Sequence, residues 1–139
     1  MHTCEPFAIP DDWTIYNTMD YGLDMFAHYK IAIDNDNIAY VFHEIYQSNL
    51  IISDAAARVK LAECIDNEDG TTEEWCLPRA RLAPPDLWNR SQETGKSRAL
   101  LFYVNGLELT QSNNDRAAGW AQVKELLKER IAPDGSKYS

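Results

Sequence analysis

Four carboxylates, Asp20, Asp24, Glu44 and Asp86, stand at positions from which they could do chemistry. Asp20 closes the stretch Trp13 to Met19, where polar and apolar residues alternate with aromatic and β-branched character until Tyr21-Gly22 breaks the pattern. Asp86 follows a second short strand-like run, Trp75 to Ala83, in the sequence Pro84-Pro85-Asp86. Acids at the C-terminal ends of strands gather at one edge of an open sheet with helical crossovers, which is where ligands bind in such sheets. Two hard oxygen ligands on neighbouring strands suit Mg²⁺ or Mn²⁺. Two such ions about 3.5–4 Å apart activate a water and stabilise the leaving oxygen of a phosphodiester. Asp24, in the loop past Asp20, is a candidate further ligand, and Glu44, on a later strand, is a candidate for the same edge. Taken singly, each has an ordinary reading. Aspartate after a strand is a common turn residue, Pro-Pro-Asp turns the chain in any fold, and Glu44 can be an edge-strand charge.

Other chemistries find less support. His2, His28 and His43 have no metal-ligand spacing with one another or with cysteine, and read as polar strand residues or, for His2, part of a loose end. Cys4, Cys64 and Cys76 form no CxxC pair; Cys64 lies in an apolar helical stretch without a nearby histidine to activate it, so it reads as core. No GxxxxGK[ST] loop is present, so an ATP-hydrolysing phosphate cradle is not expected in this chain. The 22 acidic and 13 basic residues give a net charge of −9, which repels nucleic acid and argues against a simple DNA-binding module. It does not argue against a nuclease whose carboxylates are neutralised by divalent cations. With an odd cysteine count and no apolar leader or membrane-length run, the chain reads as cytosolic, with reduced thiols.

The elements that must position these acids follow from periodicity. Phe26 to Ile33 and Ile38 to Tyr46 are strand-like runs around Asp34-Asn35-Asp36-Asn37, residues that tolerate tight turns, so with the first strand they predict a three-stranded antiparallel meander. Asp34 and Asp36 belong to that turn. Ser53 is a candidate cap for a helix carrying Ala55, Val59, Ala62 and Ile65, stopped by Asn67 and Gly70. Ser97 is a candidate cap for a helix over 98–105 with Gly106 as its stop, and Leu107 to Thr110 can form another strand. A last helix is predicted from Asn114 or Asp115, with Trp120, Val123, Leu127 and Ile131 on one stripe, ending at Pro133 and Gly135. The order βββαβαβα is that of an α/β, ribonuclease H-like mixed sheet with helices on both faces. At 45% hydrophobic, 139 residues are expected to make one domain over 1–139, loose only at 1–12 and 133–139.

The string Trp13-Thr14-Ile15-Tyr16-Asn17-Thr18-Met19-Asp20-Tyr21-Gly22 resembles the opening strand of phage terminase large-subunit nuclease domains, where an Asp followed by an aromatic and Gly begins the metal site. Val41-Phe42-His43-Glu44-Ile45-Tyr46 is similar to the family's Glu-containing third strand, and Ala83-Pro84-Pro85-Asp86-Leu87-Trp88 to its second Asp motif. Asn105-Gly106 and Asn114-Asp115-Arg116-Ala117-Ala118-Gly119-Trp120 resemble its later segments. The resemblance implies a ribonuclease H-like endonuclease that cuts concatemeric viral DNA during packaging. It implies Asp20 and Asp86 as catalytic metal ligands for Mg²⁺ or Mn²⁺, two ions in the complete domain, with Asp24 and Glu44 as auxiliary residues. Arg116 would contact a phosphate or position a loop, beside its ordinary reading as an ion pair at a helix start.

The implied partners are double-stranded viral DNA, an ATPase domain of the same terminase and the portal protein, in the cytoplasm of a bacterial host, with no membrane. The family's third metal-binding Asp would come from beyond the end of this chain, since Asp134 sits in an expected turn. The chain is therefore expected to be a truncated domain with weak metal binding and little cleavage alone. The alternatives are a non-enzymatic interaction domain of the packaging machinery and another ribonuclease H-like nuclease of the resolvase or transposase type.

Overall fold

In the computed structural model the described residues are 3–66, 72–74, 76–131, 135 and 137–138. Where composition predicts one unit, contacts divide the chain into two, Ile9–Ser112 and a smaller one of Met1–Ala8 with Asn113–Ser139.

The larger unit opens with β1 (Thr14–Tyr21), β2 (Met25–Ile33) and β3 (Ala39–Ser48), paired antiparallel as expected. The β2–β3 turn closes as its composition predicts: Asp34 Oδ1 accepts from the backbone N–H groups of Asp36 and Ile38 at 2.9 and 2.8 Å, and Asn37 takes the left-handed conformation, φ 63°. Helix α1 (Ile52–Ala62) follows, then a short hairpin of β4 (Cys64–Asp66) and β5 (Thr72–Glu74). Strand β6 (Ala80–Ala83) runs parallel to β1, a 3-10 turn spans Pro85–Trp88, and α2 (Arg98–Val104) leads to β7 (Thr110–Gln111), parallel to β6. The sheet order is β3-β2-β1-β6-β7. Apart from the small hairpin and the 3-10 turn, the elements come in the expected sequence.

Period-two patterning decides which face is covered. Ile15, Asn17 and Met19 of β1 are buried, as are Phe26, His28, Lys30 and Ala32 of β2, and the register pairs Ile15 with Ala32, Asn17 with Lys30 and Met19 with His28. All lie on one face. Met19, Phe26 and Ala83 of the sheet share a core with Ala55, Ala56 and Val59 of α1, Ala99 and Phe102 of α2, and the loop residues Leu87 and Leu107. Complete burial of Phe26, Phe102 or Leu87 each contributes about 1.5–3 kcal/mol. Within this unit both α-helices thus cover the same face.

Several local expectations are corrected. Ser53 does not cap α1: the cap position is Ile51, with no side-chain hydrogen bond. The helix ends at Ala62 rather than reaching Ile65, because Glu63 is drawn into a buried ion pair and Cys64 begins β4. Cys64 is half-buried on a strand, not in a helix. Ser97 does cap α2, accepting from Leu100 N–H at 3.1 Å, and Gly106 ends it at φ +81°. The expected stops at Asn67, Gly70 and Pro133, the strand start at Trp75, and His2 and Asp134 lie outside the described residues.

In the smaller unit α3 (Arg116–Leu126) starts from Asp115, whose Oδ1 accepts from Ala118 N–H at 3.0 Å, and β8 (Arg130–Ile131) pairs with β9 (Lys137–Tyr138). The helix stops short of Ile131. Its predicted apolar stripe is not buried: Trp120, Val123, Leu127 and Ile131 are all more than half exposed.

Candidate active site

The parallel pairing of β1 with β6, and of β6 with β7, brings the C-terminal ends of three strands to one edge. Asp20 is the penultimate residue of β1, and its backbone pairs with Ala27. Its side chain is on the face opposite the helices, because Met19 and the other buried odd-numbered residues of β1 turn inward. Asp86 is the second residue of the 3-10 turn that follows β6; the next residue, Leu87, is fully buried and fixes that turn to the core. Both acids stand at the edge where strand ends collect, within reach of water.

A guanidinium completes this corner. Arg98, the first residue of α2, places Nη1 3.8 Å from Asp86 Oδ2 and 3.5 Å from the carbonyl oxygen of Tyr21, the residue after Asp20. Tyr21 is itself held: its hydroxyl donates to the Leu50 carbonyl at 2.8 Å, and its ring meets Phe102 edge-on at 5.5 Å. Burial raises the Tyr21 phenol above its usual range, with the charge of Arg98 opposing the shift. Sequence reasoning misses Arg98. A cation in the first turn of a helix sits at the unfavourable end of the helix dipole, and that mismatch is the signal by which it could have been found.

Of the other predicted site residues, Glu44 does not reach this corner. Glu44 is on the same face as Asp20 but in β3, two strands away, level with Thr18 through Tyr29. At about 4.8 Å per strand and 3.4 Å per residue the separation is roughly 12 Å, far beyond one ion's ligand shell. Glu44 instead accepts from the Tyr29 hydroxyl at 3.1 Å, which raises that phenol's pKa. Asp24 is exposed in the β1–β2 loop. Arg116 is the exposed first residue of α3, in the other unit. Among the described residues no group of three or more His, Cys, Asp or Glu is placed to hold a metal ion.

A second polar cluster lies under the C-terminal end of α1, buried against the sheet. Glu63 accepts from Arg81 Nε at 2.8 Å, Arg81 Nη2 at 2.5 Å and Asn17 Nδ2 at 2.7 Å, while Lys30 Nζ donates to the Ala62 carbonyl at 2.6 Å. Two cations at a helix C-terminus complement its dipole, so this cluster fastens α1 across β1, β2 and β6. His28 lies beside it, fully buried, with neither ring nitrogen hydrogen-bonded. Burial, reinforced by His43, Lys30 and Arg81, lowers its pKa to about 4, so it is neutral at pH 7. These residues serve the scaffold rather than the corner.

No protein-family model matches the chain, and no curated protein does. A solved structure does: the large terminase nuclease from thermophilic phage G20c, known from a crystal structure, superposes with a TM-score of 0.51 over 92% of this chain and 72% of that one, at 14% identity. The fold is ribonuclease H-like. At that identity the likeness speaks to the path of the chain: a mixed five-stranded sheet with helices, terminase nuclease-like in its architecture. No helix among the described residues is long and apolar enough to cross a membrane.

Proposed function

We propose that this chain is a metal-dependent DNA endonuclease domain of a viral packaging terminase, with Asp20 and Asp86 as its metal-binding carboxylates. The observation that carries the reading is the position of these two acids, one at the end of β1 and the other in the turn after the parallel strand β6, in a fold shared with a terminase nuclease. The donors fit Mg²⁺ or Mn²⁺ in kind, being solvent-accessible carboxylate oxygens. Magnesium is commonly held by one or two carboxylates with waters and substrate phosphates completing its shell. In number they suit one weakly held ion, not two. When bound, the ion would supply Lewis acidity and a water of lowered pKa. The chain's own residues would orient it: β1 fixes Asp20, and buried Leu87 fixes the turn that carries Asp86.

The substrate in this reading is concatemeric double-stranded viral DNA, with the terminase ATPase domain and the portal protein as partners. A net charge of −9 makes the acidic surface depend on divalent cations to approach phosphate. The test is Mn²⁺-dependent nicking of supercoiled plasmid by this domain within its full coding frame, with Asp20→Asn and Asp86→Asn as controls. Nicking that both substitutions abolish supports the reading; nicking that survives them overturns the assignment. A second reading, a non-enzymatic interaction domain, is favoured by the guanidinium already beside Asp86. Backbone amide shifts centred on Asp20 and Asp86 during Mg²⁺ titration favour the nuclease, and their absence at millimolar metal favours the interaction domain.

A further inference from the structure

Arg98 touches both strand ends of the proposed site with one nitrogen: Nη1 is 3.8 Å from Asp86 Oδ2 and 3.5 Å from the Tyr21 carbonyl oxygen. The backbone at each anchor is held. Tyr21 is pinned by its hydroxyl and by its ring against Phe102, and Asp86 rides on a 3-10 turn whose next residue is fully buried in the core. The two side chains both meet water, Arg98 at 43% and Asp86 at 59% exposure. As a fold-stabilising bridge the pair would be worth little, because both partners meet water and the separation is long. Its placement at the carboxylate edge is the more informative property.

We infer that Arg98 is the resident counter-ion of Asp86, a fixed monovalent charge that neutralises the carboxylate and competes with a divalent cation for it. The inference rests on the proposed reading of Asp86 as a ligand and adds a positioning residue that sets how readily that ligand accepts metal. A guanidinium is always charged and has only donors, so it cannot share an ion with the carboxylate. A metal bound to Asp86 must approach its oxygens to about 2.0–2.6 Å. It therefore enters against the repulsion of Arg98 unless the arginine stem swings away. Metal occupancy of this corner and the position of Arg98 are then coupled.

The experiment measures Mn²⁺ affinity by calorimetry at low ionic strength for the full 139-residue chain, as wild type, Arg98→Ala, Arg98→Lys and Asp86→Asn, with circular dichroism as the check on folding. The expected result is tighter Mn²⁺ binding by Arg98→Ala, by at least about fivefold, the factor two unit charges about 4 Å apart are worth in a water-like dielectric and a lower bound for a divalent ion. Arg98→Lys, which keeps the charge, should stay near wild type, and Asp86→Asn should bind more weakly. If wild type binds Mn²⁺ through Asp86 but Arg98→Ala binds it equally or less well, the metal reading stands and the counter-ion inference is overturned. If Arg98→Ala leaves Mn²⁺ affinity unchanged and weakens binding to a DNA duplex, Arg98 is a phosphate contact and the inference is again overturned. If no form binds Mn²⁺, the metal reading itself fails and the inference falls with it.

Discussion

Glu63, 3% exposed, is gripped by Arg81 through two nitrogens at 2.8 and 2.5 Å, which locks the C-cap residue of α1 to the strand that precedes Asp86. The pair is buried on the carboxylate side and partly open at the guanidinium, where the Arg81 side chain keeps 20% exposure. Asn17 and Lys30 complete the attachment from β1 and β2.

Removing one partner of a buried ion pair strands the other. Glu63→Ala is therefore expected to destabilise the chain by about 3–5 kcal/mol in urea unfolding at pH 7. Replacing the carboxylate and guanidinium together with apolar residues of similar volume should cost much less. A single-variant loss below about 1 kcal/mol would show that the bridge does not hold α1.

His28 makes stability depend on pH. Its folded pKa is lowered to about 4 from an ordinary 6.5, so between those values the unfolded chain binds a proton that the folded chain refuses. Stability from this group is complete above about pH 6.5 and is lost as pH falls toward 4. The loss amounts to about 3 kcal/mol when complete. The charged groups around it, Lys30, Arg81 and His43, act in the same direction. His28→Leu should remove that pH dependence in denaturation measured at pH 7 and pH 4.5. With both ring nitrogens unpartnered, the change should leave stability at pH 7 equal or higher.

The carboxylates should separate by position. Asp20→Asn and Asp86→Asn are each expected to lower Mn²⁺-dependent nicking at least about 100-fold, and chelation with EDTA to abolish it. Glu44→Gln should leave nicking nearly unchanged, because Glu44 is two strands from Asp20 and engaged by Tyr29. An equal loss in Glu44→Gln would contradict that separation.

Gly106 ends α2 with φ +81°, a conformation that L side chains rarely adopt, and an added Cβ would meet Lys60 Nζ at 3.4 Å. That amine donates to the Asn105 carbonyl at 3.0 Å, tying α1 to the end of α2. Gly106→Ala is expected to cost at least about 1 kcal/mol in urea unfolding, chiefly from the backbone strain.

Much of this protein is legible from local chemistry. The alternation in β1, β2 and β3, the Asp34 to Asn37 turn, the Ser97 cap and the Gly106 stop depend on residues near one another in sequence, and each forms as its side chains predict. Asp20 and Asp86 are likewise readable as acids at strand ends. What periodicity cannot assign is the fate of polar residues on those strands. His28 reads as a polar strand position, yet it is buried, as is Asn17, which donates to Glu63, 46 residues away at the end of α1. The same long-range pull ends α1 at Ala62, where its apolar spacing would have carried it on to Ile65.

The sequence by itself determined the element order and the two strand-end acids, since hydrophobic period and turn chemistry act over a few residues. Tertiary structure alone decided which acids share a sheet edge. The parallel pairing of β1 with β6 set Asp20 and Asp86 at one edge, and the intervening width of β2 kept Glu44 away. Packing of Phe102 against the core brought Arg98 between the strand ends, 77 residues from Tyr21 along the chain. Pairings of that range depend on how whole elements bury their faces, and no local pattern encodes them.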